Sequence, residues 1–97
     1  MSISISTHVL DTGRGKPAAG VEVELFREGD LVASGRTDAD GRIGGLADGL
    51  EPGDYRLAFR PPSEFFRRVE LEITLVEGHY HVPLLVSPYS CASYRGS

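Results

Sequence analysis

Three histidines, His8, His79 and His81, hold most of the chemical range of this 97-residue chain. An imidazole whose ordinary pKa is about 6.5 exists in both forms near neutrality, so it can take a proton and return it. Two of the three sit in Gly78-His79-Tyr80-His81-Val82-Pro83-Leu84-Leu85-Val86. There Tyr80, Val82, Leu84 and Val86 form an alternating apolar set, which turns His79 and His81 to the opposite face of a strand. The stretch Ser2-Ile3-Ser4-Ile5-Ser6-Thr7-His8-Val9 behaves alike, with Ile3, Ile5 and Val9 on one face and His8 on the other. His8 and His81 are therefore candidates for one site on the outer face of a sheet. On parity alone, the more ordinary reading is a solvated polar residue at each position.

Other chemistries find less support. His79 and His81, two residues apart, supply half a zinc site, and no further Cys or His completes the set, so no metal is expected. A nucleophilic serine would need a Gly-x-Ser-x-Gly elbow, which is missing. The single cysteine, Cys91, permits no internal disulfide and has no base near it in sequence; it reads as a core or edge packing residue. Gly13-Arg14-Gly15-Lys16 and Gly41-Arg42-Ile43-Gly44-Gly45 have no helix behind them, so they read as turns rather than phosphate loops.

The elements that must position the histidines are strands. Val21-Glu22-Val23-Glu24-Leu25, Tyr55-Arg56-Leu57-Ala58-Phe59-Arg60 and Val69-Glu70-Leu71-Glu72-Ile73-Thr74-Leu75 all alternate. Turn residues separate them at Glu28-Gly29-Asp30, Asp38-Ala39-Asp40-Gly41, Glu51-Pro52-Gly53-Asp54 and Glu77-Gly78. About eight short strands with turns every 8–12 residues predict an all-β sandwich. Pro61-Pro62-Ser63-Glu64 leaves room for one helical turn at most. Pro83 suits an edge, a bulge or a strand end, because it cannot donate to a ladder.

Length and charge narrow the class. The chain reads as one domain, residues 1–97, small enough that subunit association would help its stability. A net charge of −4 with interleaved signs leaves no basic stripe for nucleic acid. No stretch approaches the roughly 20 apolar residues of a membrane span, and the N-terminus lacks a signal-peptide pattern. A cytoplasmic protein is the expectation.

The ends of the chain are more specific. Ser6-Thr7-His8-Val9-Leu10-Asp11-Thr12-Gly13-Arg14-Gly15-Lys16-Pro17-Ala18 resembles the N-terminal signature of the 5-hydroxyisourate hydrolases, the transthyretin-related enzymes. His79-Tyr80-His81-Val82-Pro83-Leu84-Leu85-Val86-Ser87-Pro88-Tyr89 resembles their second signature, and Tyr94-Arg95-Gly96-Ser97 their C-terminal tetrapeptide. Asp40-Gly41-Arg42 matches the family's arginine. One region departs. Between Arg60 and Val69, family members usually carry a longer segment with a short helix and a Phe-Phe-Pro-Glu-like turn; this chain is shorter and has Arg67-Arg68 there.

The resemblance implies a transthyretin-like two-sheet sandwich with the usual helix lost or reduced. It implies hydrolytic opening of 5-hydroxyisourate to 2-oxo-4-hydroxy-4-carboxy-5-ureidoimidazoline in urate degradation, without metal or organic cofactor. It implies His8, Arg42 and His81 as catalytic residues, with Arg42, Tyr94, Arg95 and Ser97 toward the substrate and His79 at the rim. It also implies a homotetramer, a dimer of dimers, whose outer sheet faces become channel walls. Three other readings stand beside it: a non-catalytic carrier of small aromatic ligands, a structural β-sandwich module, and an inactive relative.

Overall fold

The alternating stretches all become strands. In chain order they are β1 (Ile3–Asp11), β2 (Lys16–Pro17), β3 (Glu22–Arg27), β4 (Asp30–Arg36), β5 (Arg42–Leu50), β6 (Gly53–Arg60), β7 (Val69–Leu75), β8 (Gly78–Ser87) and β9 (Ser90–Ser93). The computed structural model describes residues 2–96, and among them there is no helix. One sheet runs β4-β3-β6-β7, antiparallel throughout. In the other, β1 lies between β5 and β8, with β2 beside the end of β1 and β9 beyond β8.

Period two decides what faces inward. Ile3, Ile5 and Val9 of β1 are fully buried, as are Leu84 and Val86 of β8. Thr7 takes the remaining inward place on β1 and satisfies its hydroxyl on the Val82 carbonyl at 2.6 Å, so this buried hydroxyl is not left without a partner. Val23, Leu25, Leu57 and Phe59 meet them from the other sheet. Removing a side chain as large as Phe59 costs about 3–5 kcal/mol, the scale on which this core holds the sheets together.

β4 of one sheet meets β5 of the other along one side of the sandwich, and the opposite side is open. β7 and β9 end their respective sheets. Of the inward residues of β7, Leu75 is buried while Val69, Leu71 and Ile73 are only half covered.

Arg42-Ile43-Gly44-Gly45 is not a turn, contrary to the sequence expectation; the turn ends at Gly41 and these residues open β5. Two register shifts in the β1–β5 pairing explain why alternation missed it. A bulge puts successive apolar residues out of strict period two, so Ile43, Leu46, Ala47 and Leu50 all reach the core. Gly13-Arg14-Gly15 is a turn as expected.

The shortened connection between β6 and β7 is held locally. The Ser63 hydroxyl accepts from the backbone N–H of Phe65 at 3.1 Å and of Phe66 at 2.9 Å, giving the loop a turn without a helix. Pro83 lies within β8, not at its end. Its carbonyl accepts from the Ser93 hydroxyl at 2.8 Å, and the β8–β9 ladder starts one residue later at Leu84↔Ser93. The missing N–H therefore falls where β9 leaves β8.

Candidate active site

The parallel register of β1 against β8 builds the site. Ser4 stands beside His79, Ser6 beside His81, and His8 beside Pro83. On the other flank of β1, His8 pairs with Arg42 of β5. Outward-facing residues of three adjacent strands thus form one row: His81, His8, Arg42. The His8 and His81 rings are 6.5 Å apart between centroids and tilted by 43°, a gap that a water or a polar substrate atom can bridge.

The turn before β5 fixes Arg42 and His8 together. The Asp38 carboxylate accepts from the backbone N–H of Asp40 at 2.9 Å and of Arg42 at 3.0 Å. These bonds, chiefly the one from Arg42, hold the Asp38 carboxyl below the usual range, helped by the charges of Arg42 and His8. Gly41 sits at φ 75°, and a Cβ there would lie 2.5 Å from the Val9 carbonyl oxygen, so only glycine fits. Its own carbonyl accepts from Val9 N–H at 2.7 Å, which clamps the turn to β1 beside His8.

His8 has an assignable tautomer. Its Nε2 is 2.9 Å from the Asp40 carbonyl oxygen. A carbonyl only accepts, so Nε2 donates, and neutral His8 presents the lone pair on Nδ1.

His81 is held from two sides. Its Nδ1 is 2.7 Å from Ser6 Oγ, leaving Nε2 as its unengaged nitrogen among the described residues. The C-terminal segment crosses it: Gly96 N–H donates to the His81 carbonyl at 2.6 Å, and the Gly96 Cα lies against the imidazole. Desolvation by burial lowers the His81 pKa first, and the positive charges of His8, His79 and Arg42 add to it. His81 is thus kept in its neutral form at neutral pH.

The remaining expected residues distribute differently. His79 is exposed at the rim, but it is joined to the row through Ser6. Tyr94 and Arg95 turn toward the open side of the sandwich, where Tyr94 lines a concavity with Leu71, Ile73 and Val82. The Arg95 guanidinium stacks 4.1 Å from the centroid of the Tyr80 ring and anchors the tail. Ser97 lies outside the described residues. Cys91, on the edge strand β9, packs against the core, and burial raises its thiol pKa.

Two residues join the site that sequence reasoning did not name. Ser6 shares the parity of His8 and was readable as an outer-face hydroxyl. Gly96 stood inside the matched tetrapeptide, and its lack of a side chain was the signal.

A two-sheet sandwich with an imidazole-guanidinium row across the outer face of one sheet is the class that fold and site define. The chain belongs to the HIUase/Transthyretin family, whose model matches residues 5–96. It is 42% identical over 115 residues to a 5-hydroxyisourate hydrolase of Deinococcus radiodurans, covering 96% of this chain and 95% of that one. It is also 42% identical over 119 residues to the uric acid degradation bifunctional protein TTL of Arabidopsis thaliana, spanning 37% of that longer protein. The solved 5-hydroxyisourate hydrolase of Klebsiella pneumoniae superposes with a TM-score of 0.89 at 36% identity, covering 97% of this chain and 98% of that one. Both sequence alignments run longer than this 97-residue chain, so the relatives carry segments it lacks.

Proposed function

We propose that this protein hydrolyses 5-hydroxyisourate to 2-oxo-4-hydroxy-4-carboxy-5-ureidoimidazoline in urate degradation. The observation that carries the reading is the row itself: His81 and His8 face each other across 6.5 Å, and Arg42 is registered against His8. The family relationship supports it.

Ring opening of a cyclic amide needs a base for water, a proton for the leaving nitrogen and a partner for the developing oxyanion. His8 Nδ1 and His81 Nε2 are the two ring nitrogens free to meet water and substrate, and they share water activation and proton transfer. Arg42 supplies a fixed charge and a planar fork for a ring dense in carbonyls and N–H groups. The Gly96 contact holds His81 in place, and Ser97, the next residue in sequence, is assigned to substrate binding in this reading. Arg95 serves the substrate end of this proposal by anchoring the tail on Tyr80, and Tyr94 is assigned to substrate binding beside it. No metal or organic cofactor is required by these steps.

A homotetramer in the cytosol is part of the same reading. The unpaired edges of β7 and β9 lie on one open side, with half-covered Leu71 and Ile73 between them, which suits pairing with a second copy. Two outer faces set opposite each other would then enclose the histidine row. No helix among the described residues is long and apolar enough to cross a membrane.

The test is the decay of freshly made 5-hydroxyisourate, followed by ultraviolet absorbance with and without protein. Faster decay with protein is expected; decay at the spontaneous rate overturns the enzyme reading. Light scattering at micromolar concentration tests the assembly, and a monomer mass would overturn the tetramer.

A further inference from the structure

A line of four side chains runs from the site to the surface. Ser6 Oγ lies 2.7 Å from His81 Nδ1 and 2.8 Å from His79 Nε2. His79 Nδ1 lies 2.7 Å from Ser4 Oγ. Both nitrogens of His79 are engaged, and Ser6 is only 6% exposed, so its hydroxyl is confined to its two histidine partners.

A hydroxyl has one hydrogen. If Ser6 donates to His81, it must accept from His79 Nε2–H, and His79 Nδ1 then accepts from Ser4. His81 then carries its hydrogen on Nε2. If every bond is reversed, His81 Nδ1–H donates to Ser6, Ser6 to His79, and His79 to Ser4. His81 Nε2 is then a lone pair. The two neutral arrangements interconvert when one proton enters at His81 Nε2, the protons along the line shift together, and one leaves at the Ser4 end.

We infer that Ser6 and His79 are positioning residues that form, with Ser4, a proton-conducting chain by which His81 changes between base and acid without becoming charged. This rests on the proposed role of His81 in the reaction. In the first half, an O–H bond of the attacking water breaks and its proton bonds to His81 Nε2. At the same time Nδ1 gives its proton to Ser6, Ser6 gives its own to His79 Nε2, and His79 Nδ1 releases one toward Ser4 and solvent. In the second half the C–N bond of the ring breaks, Nε2 gives its proton to the leaving nitrogen, and the chain runs back. The wire ends as it began.

The surroundings explain why such a chain is useful. The charged and backbone groups facing His81 are His8 on β1, Arg42 on β5, His79 on its own strand and the Gly96 backbone of the tail. Burial disfavours an imidazolium at His81 first, and the positive charges of His8, His79 and Arg42 add to that. Moving one proton out as another comes in removes that obstacle.

The experiment combines kinetics with nitrogen-15 NMR of the histidine rings. Ser6→Ala should lower kcat on the order of tenfold with little change in KM, and Ser6→Thr should restore much of it by keeping the hydroxyl. His79→Ala should lower kcat less, and added imidazole should rescue it. The proton inventory in mixed H2O and D2O should bow for the wild type and become linear in Ser6→Ala. Wild-type kcat, pH profile and proton inventory in Ser6→Ala and His79→Ala, alongside an impaired His81→Ala, would overturn the chain. The NMR arm needs no substrate: His79→Ala should change the Nδ1 and Nε2 shifts of His81. Unchanged shifts overturn the chain even in an active enzyme. Changed shifts in a protein that does not open the ring would uphold the chain while the reaction assignment fails.

Discussion

Gly96 lies flat against His81: a Cβ built on it would stand 2.7 Å from His81 Cδ2 and 3.3 Å from His81 Cβ and Cγ. Such a clash is relieved only by moving the imidazole or lifting the tail. The backbone bond from Gly96 N–H to the His81 carbonyl, at 2.6 Å, resists the second. Gly96→Ala should therefore lower kcat by on the order of tenfold while the far-ultraviolet circular dichroism stays that of the wild type, because misplacing a reacting group is costly in rate without unfolding anything. Wild-type kcat in Gly96→Ala would show that the tail does not set the histidine.

His8→Ala and His81→Ala should each reduce ring opening by about two orders of magnitude or more, the scale of lost general acid–base help. Neither side chain faces the core, so thermal stability should change by about a kcal/mol or less. Arg42→Lys should also impair turnover, since lysine keeps the charge and loses the planar fork. Steady-state rates and thermal melts of the three variants check this together. A rate loss matched by a large drop in melting temperature would point to packing instead.

Gly41→Ala should be the most disruptive glycine change near the site. The residue would have to hold φ 75° and clear the Val9 carbonyl oxygen at 2.5 Å. The backbone strain alone is about 1–3 kcal/mol. Because Gly41 lies between the Asp40 carbonyl, which fixes His8, and Arg42, kcat should fall with stability. Urea unfolding and the rate at a temperature where the variant remains folded separate the two effects. Unchanged stability would contradict the close packing of this turn on β1.

Much of this arrangement was legible before the fold. Parity alone placed His8 and His81 outward, because Ile3, Ile5 and Val9 on one strand and Val82, Leu84 and Val86 on the other leave them no alternative. The helix-free 61–68 connection was readable from its length and prolines. β5 was not, since its bulges break period two and its glycines imitate a turn. Nor was the bond from Ser6 to His81. It depends on a parallel register between segments 75 residues apart, which no local pattern encodes. Tyr94 and Arg95 were readable as part of a motif, but their turn toward the open side depends on where the chain leaves β9 past Pro83.

The neutral state of His81 gives the last prediction its sign. Its folded-state pKa lies below the ordinary 6.5, first through burial and then through His8, His79 and Arg42. The unfolded chain therefore binds a proton more readily than the native protein does once the pH drops below about 6.5. The stability contributed by this residue is present above that pH and is lost as pH falls through the folded-state value. Melting temperature should accordingly decline on acidification from pH 7.5, and the decline should be shallower in His81→Gln, which has no such proton to bind. The rate should follow the same group: as the base form disappears with falling pH, turnover should drop, with a midpoint below 6.5. Melting curves of both proteins across pH 5 to 7.5, with the wild-type rate profile beside them, decide the matter. A steeper decline in His81→Gln, or a rate midpoint above 6.5, would mean that His81 is charged in the folded protein and that Arg42 and His8 do not bear on it as the geometry requires.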